Sequence, residues 1–388
     1  MKKTISTALA VLALSSMLPA AGAAQEKPFR ILVIDDLSGI YMGNGGPNTV
    51  LAATMAAEDF GGKALGRKIE VLSVNHQNKP DVAASLAGRY IDQEGVSAIV
   101  LGGSSAAGLA AQAIAKQRGV TTLVTGGYAS NFSADQCSPY GTQWAPSTDA
   151  LANAVAKGLV DAGGKKWFFI TTDYAFGKDL EQNCADAVKA AGGEVLGAAR
   201  HPLNTSDFSS FILQAQSSGA DVIGFANAGG DLNNSLKQAA EFGLGKKQKM
   251  AALILNVTNL PALGLAAVEN VKICTGFYWD QNDGTRAFAR RFQPLHPNKH
   301  MPNDMHAGMY AATAHLLKAM AQTKSAADGI KLVDAMKAIP TDDPLFGKGE
   351  IRIDGRHIHP MYLLQTKTVA ESKGDWDYFR VLSTVKPE

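Results

Sequence analysis

The chain is poor in several things that would have set its class at once. It has only three cysteines in 388 residues, too few for a disulfide scaffold, and none sits in a CxxC pair that could hold zinc. Charge of one sign is also missing. Lys plus Arg total 37 against 35 Asp plus Glu. Two of those lysines lie in the first 23 residues, so the remainder carries 35 of each sign, which excludes a strongly basic nucleic-acid or anionic-membrane surface. No GxxxxGK[ST] occurs, and Gly43-Asn-Gly-Gly is not GxGxxG, so phosphate cradles for nucleotides are absent from the pattern. Beyond the N-terminus no apolar run is long enough to span a bilayer. The stretch 98–115 is broken by Gly102-Gly103-Ser104-Ser105, and 252–268 by Asn256, Asn259 and Pro261. What remains is a chain 46% hydrophobic and 19% charged. That rules out general disorder, and the length is that of two or three domains at about 150 residues each.

The N-terminus reads as an address. Lys2 and Lys3 precede an apolar stretch from Thr7 to Leu18, followed by Pro19 and small residues with Ala21 and Ala23 at A-x-A spacing. The apolar stretch is shorter than the roughly 20 residues of a transmembrane helix and fits a cleaved signal peptide, residues 1–24, cut after Ala23 or Ala24. No cysteine follows to take a lipid, so the mature protein is expected free in the periplasm.

From there β-rich runs alternate with helix-length amphipathic segments. Strands are expected at 29–35, 68–75, 97–101, 120–125, 166–172, 193–200, 221–226 and 250–255, with helices at 48–60, 81–94, 106–118, 150–162, 176–191, 208–218 and 233–242. This alternation implies βαβ crossovers and parallel sheets. Eight units in series could close one barrel, but 141–148 (Gly-Thr-Gln-Trp-Ala-Pro-Ser-Thr) breaks the series after the fourth. A further strand at 271–279, helices at 306–322 and 326–338, and strands at 350–353, 360–366 and 378–381 follow the second set. The expected fold is therefore α/β, two doubly wound parallel-sheet domains joined by hinge strands. The first would take 25–144 plus 280–346, the second 145–279 plus 347–388.

In such sheets ligands bind outside the carboxyl ends of the strands. The loops found there are neutral, rich in Gly, Ser and Asn, and carry a good share of the few aromatics. Ser104 and Ser105 precede the 106–118 helix, where backbone N–H groups and hydroxyls suit a carboxylate; plain N-capping would need only one serine. The enzymatic alternative, an exported serine hydrolase using Ser104 or Ser105, is less supported. Gly102–Ala106 departs from GxSxG at its last position, and no histidine is placed as base. His296, His300, Asp304 and His306 resemble a metal cluster, but Pro294, Pro297 and Pro302 mark their segment as an irregular loop. No metal or cofactor is expected. His357 and His359 alternate on a strand-like stretch and are expected on a solvent face. Cys137 and Cys184 could pair in an exported protein, though they fall in opposite halves; Cys274 lies in an apolar strand as a buried thiol.

The order of these features resembles the periplasmic Leu/Ile/Val-binding protein family, type I substrate-binding proteins of ABC importers for hydrophobic amino acids, amides and related acids. The resemblance runs from Phe29 to Val385. It is carried by Leu37-Ser-Gly, Glu58-Asp59, Gly102-Gly-Ser-Ser, Thr125-Gly-Gly-Tyr-Ala-Ser, Asp173-Tyr-Ala-Phe-Gly, Asn204-Thr-Ser-Asp-Phe-Ser-Ser and Leu236-Lys-Gln-Ala-Ala-Glu-Phe-Gly. It implies a non-catalytic, monomeric protein that closes on its ligand and delivers it to permease and ATPase subunits. The carboxylate would be held by Ser104, Ser105, Tyr128, Ala129 and Ser130. Tyr41, Tyr174 and Phe176 would wall the ligand, and the loop Asn227 to Asp231, with Asn256, would close from the second domain. Where amino-acid binders of the family place a glutamate against the ammonium, this chain has Leu255-Asn-Val-Thr. A buried unpaired ammonium costs several kcal/mol, so the expected ligand is an aromatic or hydrophobic organic acid. A branched-chain or other hydrophobic amino acid or amide is the alternative, with Asp231 as substitute partner.

Overall fold

The computed structural model describes residues 27–385; the expected leader peptide lies outside them. Among the described residues, no helix is long and apolar enough to cross a membrane. The first sheet is built from β1 (Phe29–Asp35), α1 (Pro47–Asp59), β2 (Lys63–Ala64), β3 (Arg67–Asn75), α2 (Pro80–Glu94), β4 (Ala98–Leu101), α3 (Ser105–Gln117), β5 (Thr121–Val124) and β6 (Gly141–Gln143). Its strand order is β2-β3-β1-β4-β5-β6, parallel except for β2. The chain then crosses to α4 (Thr148–Asp161), β7 (Lys166–Thr172), α5 (Ala175–Ala190), β8 (Glu194–His201), α6 (Ser209–Ser217), β9 (Val222–Ala226), α7 (Gly229–Glu241), β10 (Lys249–Ala252), α8 (Leu260–Leu263) and β11 (Lys272–Thr275).

Helices α9 (Asp283–Leu295), α10 (Asp304–Thr323) and α11 (Gly329–Ala338) return to cover the first sheet. A small hairpin, β12 (Glu350–Ile351) and β13 (His357–Ile358), precedes β14 (Met361–Thr366) and β15 (Phe379–Val385). These last two strands complete the second sheet, ordered β15-β14-β11-β10-β9-β7-β8, by antiparallel pairing on β11. The architecture is two doubly wound sheets, not one barrel.

Burial follows strand alternation. Along β1, Ile31 and Val33 pack against the α1, α9 and α10 layer, while Leu32 and Ile34 face the α2 and α3 layer. In β7, Trp167 and Phe169 join one core and Ile170 the other. A strand buried on both faces reads as a continuous apolar run, and each such side chain contributes roughly 1.5–3 kcal/mol of burial.

Three differences from the sequence reading have physical causes. The break at 141–148 begins with strand β6, which carries no apolar signal but is buried at the edge of the first sheet. Helix α9, unanticipated, places Phe288, Ala289 and Phe292 inward on one face. The β12–β13 hairpin, expected with the second domain, sends Ile351 into the first core and bridges Gln143 through Arg356. His357 and His359 are not on a solvent face. Both are buried, with ring centroids 4.3 Å from Trp144 (His357) and 4.7 Å from Phe346 (His359), because the hairpin folds back over the chain crossing.

Candidate ligand-binding cleft

Each sheet has a switch point where the chain reverses its direction of growth, between β1 and β4 in the first and between β7 and β9 in the second. The carboxyl ends of these strands face one another, and the loops leaving them enclose one cavity. Its walls are Tyr41, Asn44, Gly103, Ser105, Gly126, Tyr128 and Met305 from the first unit, and Tyr174, Phe176, Ala228 and Ile254 from the second. No Lys, Arg, His, Asp or Glu side chain is among them. Phe176 stands at the centre of an aromatic wall, 6.3 Å between centroids from Tyr128 and 6.0 Å from Tyr174.

The loop after β4 requires its glycine. Gly103 has φ +59°, and a Cβ there would lie 2.4 Å from Asp35 Oδ1 and 3.1 Å from the Asp36 backbone nitrogen. That approach sets the buried Asp35 carboxyl beneath the entrance to α3. Asp35 accepts from Thr49 Oγ1 at 2.6 Å and from the Asp36 amide at 2.7 Å. Burial outweighs these bonds and pushes its pKa up to about 7, since desolvation disfavours the charged form.

The two serines divide the roles that the sequence left open. Ser104 is the N-cap of α3, its side chain accepting from the Ala107 amide at 3.5 Å. Ser105 lines the cavity; its Oγ accepts from the Ala129 amide at 3.1 Å, leaving the hydroxyl proton free to donate. The first-turn amides of α3 have no intrahelical partner and add the positive end of the helix dipole. This corner can hold a carboxylate.

Several expected contacts lie elsewhere. The Ala129 amide is taken by Ser105, so it is not available to a ligand. Ser130 gives both its amide and its hydroxyl to Asp179 on α5. Asn227 is buried behind the loop, donating to His201 and Ser235. Asp231 accepts from the Asn204 amide at 3.2 Å, and burial raises its pKa to about 6. Asn256 caps the 257–259 turn and lines a separate small recess with Tyr278 and Asn303. Tyr41, Ser105, Tyr128, Tyr174 and Phe176 are brought together. Asn44, Ile254 and Met305 were missed. Asn44 follows Gly43 in the first strand-end loop, a signal that could have been used; Ile254 and Met305 come from remote segments.

In the histidine segment two imidazoles accept backbone amides. His306 Nδ1 accepts from the Asn303 amide at 3.2 Å and His296 Nδ1 from the Asn298 amide at 3.0 Å. Asp304 accepts the Tyr128 hydroxyl at 3.0 Å, and burial raises its pKa to about 6. Cys137 is exposed, Cys184 and Cys274 are buried, and all are free thiols.

The two units touch across the cavity. The hydroxyls of Tyr41 and Tyr174 hydrogen-bond, the Gly230 amide donates to the Ile40 carbonyl at 2.9 Å, and Asn303 Nδ2 donates to Thr258 Oγ1 at 3.1 Å. The cavity they leave is about 20 Å³, room for a single water. An organic ligand in this cavity would have to enter with the units parted and move the lining side chains aside.

A family model described as periplasmic binding protein matches residues 28–375. The Leu/Ile/Val-binding protein homolog 6 of Brucella abortus is 26% identical over 396 residues, covering 100% of this chain and 98% of its own. Among solved structures, a periplasmic binding protein from Burkholderia mallei is 42% identical with TM-score 0.90, covering 93% of this chain and 96% of its own. A branched chain amino acid ABC transporter periplasmic ligand-binding protein from Burkholderia xenovorans LB400 is 35% identical with TM-score 0.82, at the same coverage, 93% and 96%. A solute binding protein of an ABC transporter from Rhodopseudomonas palustris BisB5, in complex with 3,4-dihydroxy benzoic acid, shares the fold at 23% identity and TM-score 0.83, over 93% and 98% of the chains.

Proposed function

The chain belongs to the periplasmic binding protein family, of the Leu/Ile/Val-binding type, whose members serve ABC transporters; from that premise we propose that it captures a small aromatic or hydrophobic organic carboxylate for import. The observation that carries this reading is the character of the cavity wall. Tyr41, Tyr128, Tyr174 and Phe176 offer ring faces, the Ser105 hydroxyl and the amide end of α3 offer donors, and no acidic side chain lines the space. A carboxylate finds partners there. An ammonium group finds no carboxylate there to pair with.

The mechanism is capture by closure. The acid enters the parted cleft, its carboxylate docks on Ser105 and the first turn of α3, and the second unit brings Tyr174 and Phe176 over its body. Closure is favoured only to the extent that the ligand binds the closed state better than the open one. The chain segments around residues 144, 276 and 360, which pass between the sheets, would be the hinge. Residues 1–24 would direct export. The closed protein would then present both units, monomerically, to its permease and ATPase partners. The hydrolase alternative loses support, because Ser105 has no histidine beside it in the cavity wall.

A hydrophobic amino acid or amide is the second reading. It is favoured by the branched-chain name of the Burkholderia xenovorans structure, and it would require Asp231 to turn from Asn204 towards the ligand. The test is thermal unfolding of the mature chain, unfolded and refolded to strip co-purified ligand, against benzoates, cinnamates, keto acids, amides, and branched-chain and aromatic amino acids. A ligand at a thousand times its Kd stabilises by about 4 kcal/mol, several degrees in Tm. A shift with acids alone supports the carboxylate reading. A shift with leucine or phenylalanine alone overturns it in favour of the second.

A further inference from the structure

Ser130 stands in the loop after β5, one residue beyond the Ala129 amide that Ser105 holds, yet it does not face the cavity. Its amide donates to Asp179 Oδ2 at 2.8 Å and its hydroxyl to Asp179 Oδ1 at 2.8 Å. Asp179 belongs to α5, in the other unit, and its carboxylate also takes the Thr148 hydroxyl at the start of α4. Asn183, one turn along α5, donates to that same Thr148 oxygen at 2.9 Å. One carboxylate thus gathers three donors. Thr148 stands beside Asp179 in the second unit, its amide also donating to the Tyr128 carbonyl of the first at 2.8 Å, and the two Ser130 bonds run from one unit to the other. A carboxylate acceptor makes each of these bonds stronger than a neutral pair would.

We infer that Asp179 is the clasp of the closed form, a positioning residue that sets ligand affinity without touching the ligand. The inference rests on the capture-by-closure reading and adds to it a carboxylate that holds the closure beside the Tyr41–Tyr174, Ile40–Gly230 and Thr258–Asn303 contacts. The clasp is also wired to the ligand seat. A carboxylate on the Ser105 hydroxyl fixes the oxygen that accepts the Ala129 amide, and so fixes the next peptide, whose amide and side chain meet Asp179. Docking of the ligand and engagement of the clasp then favour each other by the same factor in both directions.

The experiment measures closure by spin-label distances between Lys116→Cys on α3 and Lys189→Cys on α5, both exposed, in a Cys137→Ser background, the remaining thiols being buried. Wild-type protein is expected to show a short-distance population. Asp179→Ala should lower the closed-to-open ratio by at least about 10- to 100-fold, the worth of one bond to a charged acceptor; the Thr148 bond it also loses lowers the unfolding midpoint, so the distances are read well below that midpoint. Ser130→Ala, which keeps the amide bond, should lower it less, and should change nothing further in the Asp179→Ala protein. Absence of a short-distance population in wild type, an unchanged distribution in Asp179→Ala, or independent losses from the two substitutions would each overturn the clasp. Benzoate and phenylalanine are then added to both proteins. If neither moves the wild-type distribution while Asp179→Ala still loses its short population, the ligand reading fails and the clasp stands.

Discussion

Replacing Asp35 by asparagine should change the pH dependence of stability more than the stability itself. The carboxyl is fully buried, and its pKa rises from 3.8 to about 7. A group whose folded pKa is raised gives its full stabilisation below the unfolded pKa and loses it as pH rises through the folded value. At about 1.36 kcal/mol per pKa unit, the wild-type protein should lose roughly 2–3 kcal/mol from this group between about pH 5 and pH 8. The side-chain amide of the Asp35→Asn variant cannot ionise, so the difference between the two proteins isolates this one site from the other titrating groups. The same charge has a second consequence, because Asp35 lies under the Gly103 turn that leads into α3. When ionised it opposes an anion on the helix terminus, and affinity for a carboxylate should fall above about pH 7 in wild type and stay level in the variant. Urea unfolding at several pH values, read by tryptophan fluorescence, measures the first effect, and direct titration with the bound acid measures the second. Parallel stability curves for the two proteins would refute the reasoning.

The serine pair should separate cleanly. Ser105→Ala leaves the Ala129 amide buried without its acceptor and is expected to cost about 1–3 kcal/mol together with a tenfold or greater loss of affinity. Ser104→Ala should cost about 1 kcal/mol as a lost cap and leave affinity alone; calorimetric unfolding and ligand titration of both check this. On the acid side, burial lowers the His359 pKa from 6.5 to about 4. The unfolded chain then binds protons first as pH falls below about 6.5, and roughly 3 kcal/mol is lost by about pH 4. His359→Gln should flatten that limb in acid unfolding curves. A thiol reagent should modify Cys137 alone in the native protein and all three cysteines after denaturation, since Cys184 and Cys274 are buried; rapid modification of two or more native thiols would contradict the packing described.

The parts of the fold legible in the sequence were those whose signal is local. The runs at β1 and β7 are apolar over their length, and the strands stand where those runs do. Gly-Thr-Gln of β6 has no such signal, because its place at the sheet edge is set by pairing with β5 and by the Gln143 side chain holding the Gly127 and Ala129 carbonyls at 3.0 Å. Helix α9 hides its inward stripe among arginines and an internal proline. His357 and His359 alternate as on a solvent-facing strand. What buries them is a hairpin folding back on Trp144, a long-range contact that periodicity cannot express. In the candidate cleft, Tyr41, Ser105, Tyr128, Tyr174 and Phe176 stand on loops at the carboxyl ends of strands, where ligands bind in such sheets. Ser130, Asn227 and Asp231 obey the same rule, yet their side chains are spent on neighbours across the cleft or behind the loop, a distinction that needs three dimensions.

On the proposed reading the cleft takes a carboxylate and offers an ammonium no acidic partner. Calorimetric titration of the stripped, refolded protein with 3-phenylpropanoate and with phenylalanine tests it most directly, because the two share a skeleton and differ by the amino group. Saturable binding of the acid is expected, with at least about hundredfold weaker binding of the amino acid, in keeping with the several kcal/mol of an unpaired buried ammonium. Tighter binding of phenylalanine would contradict it.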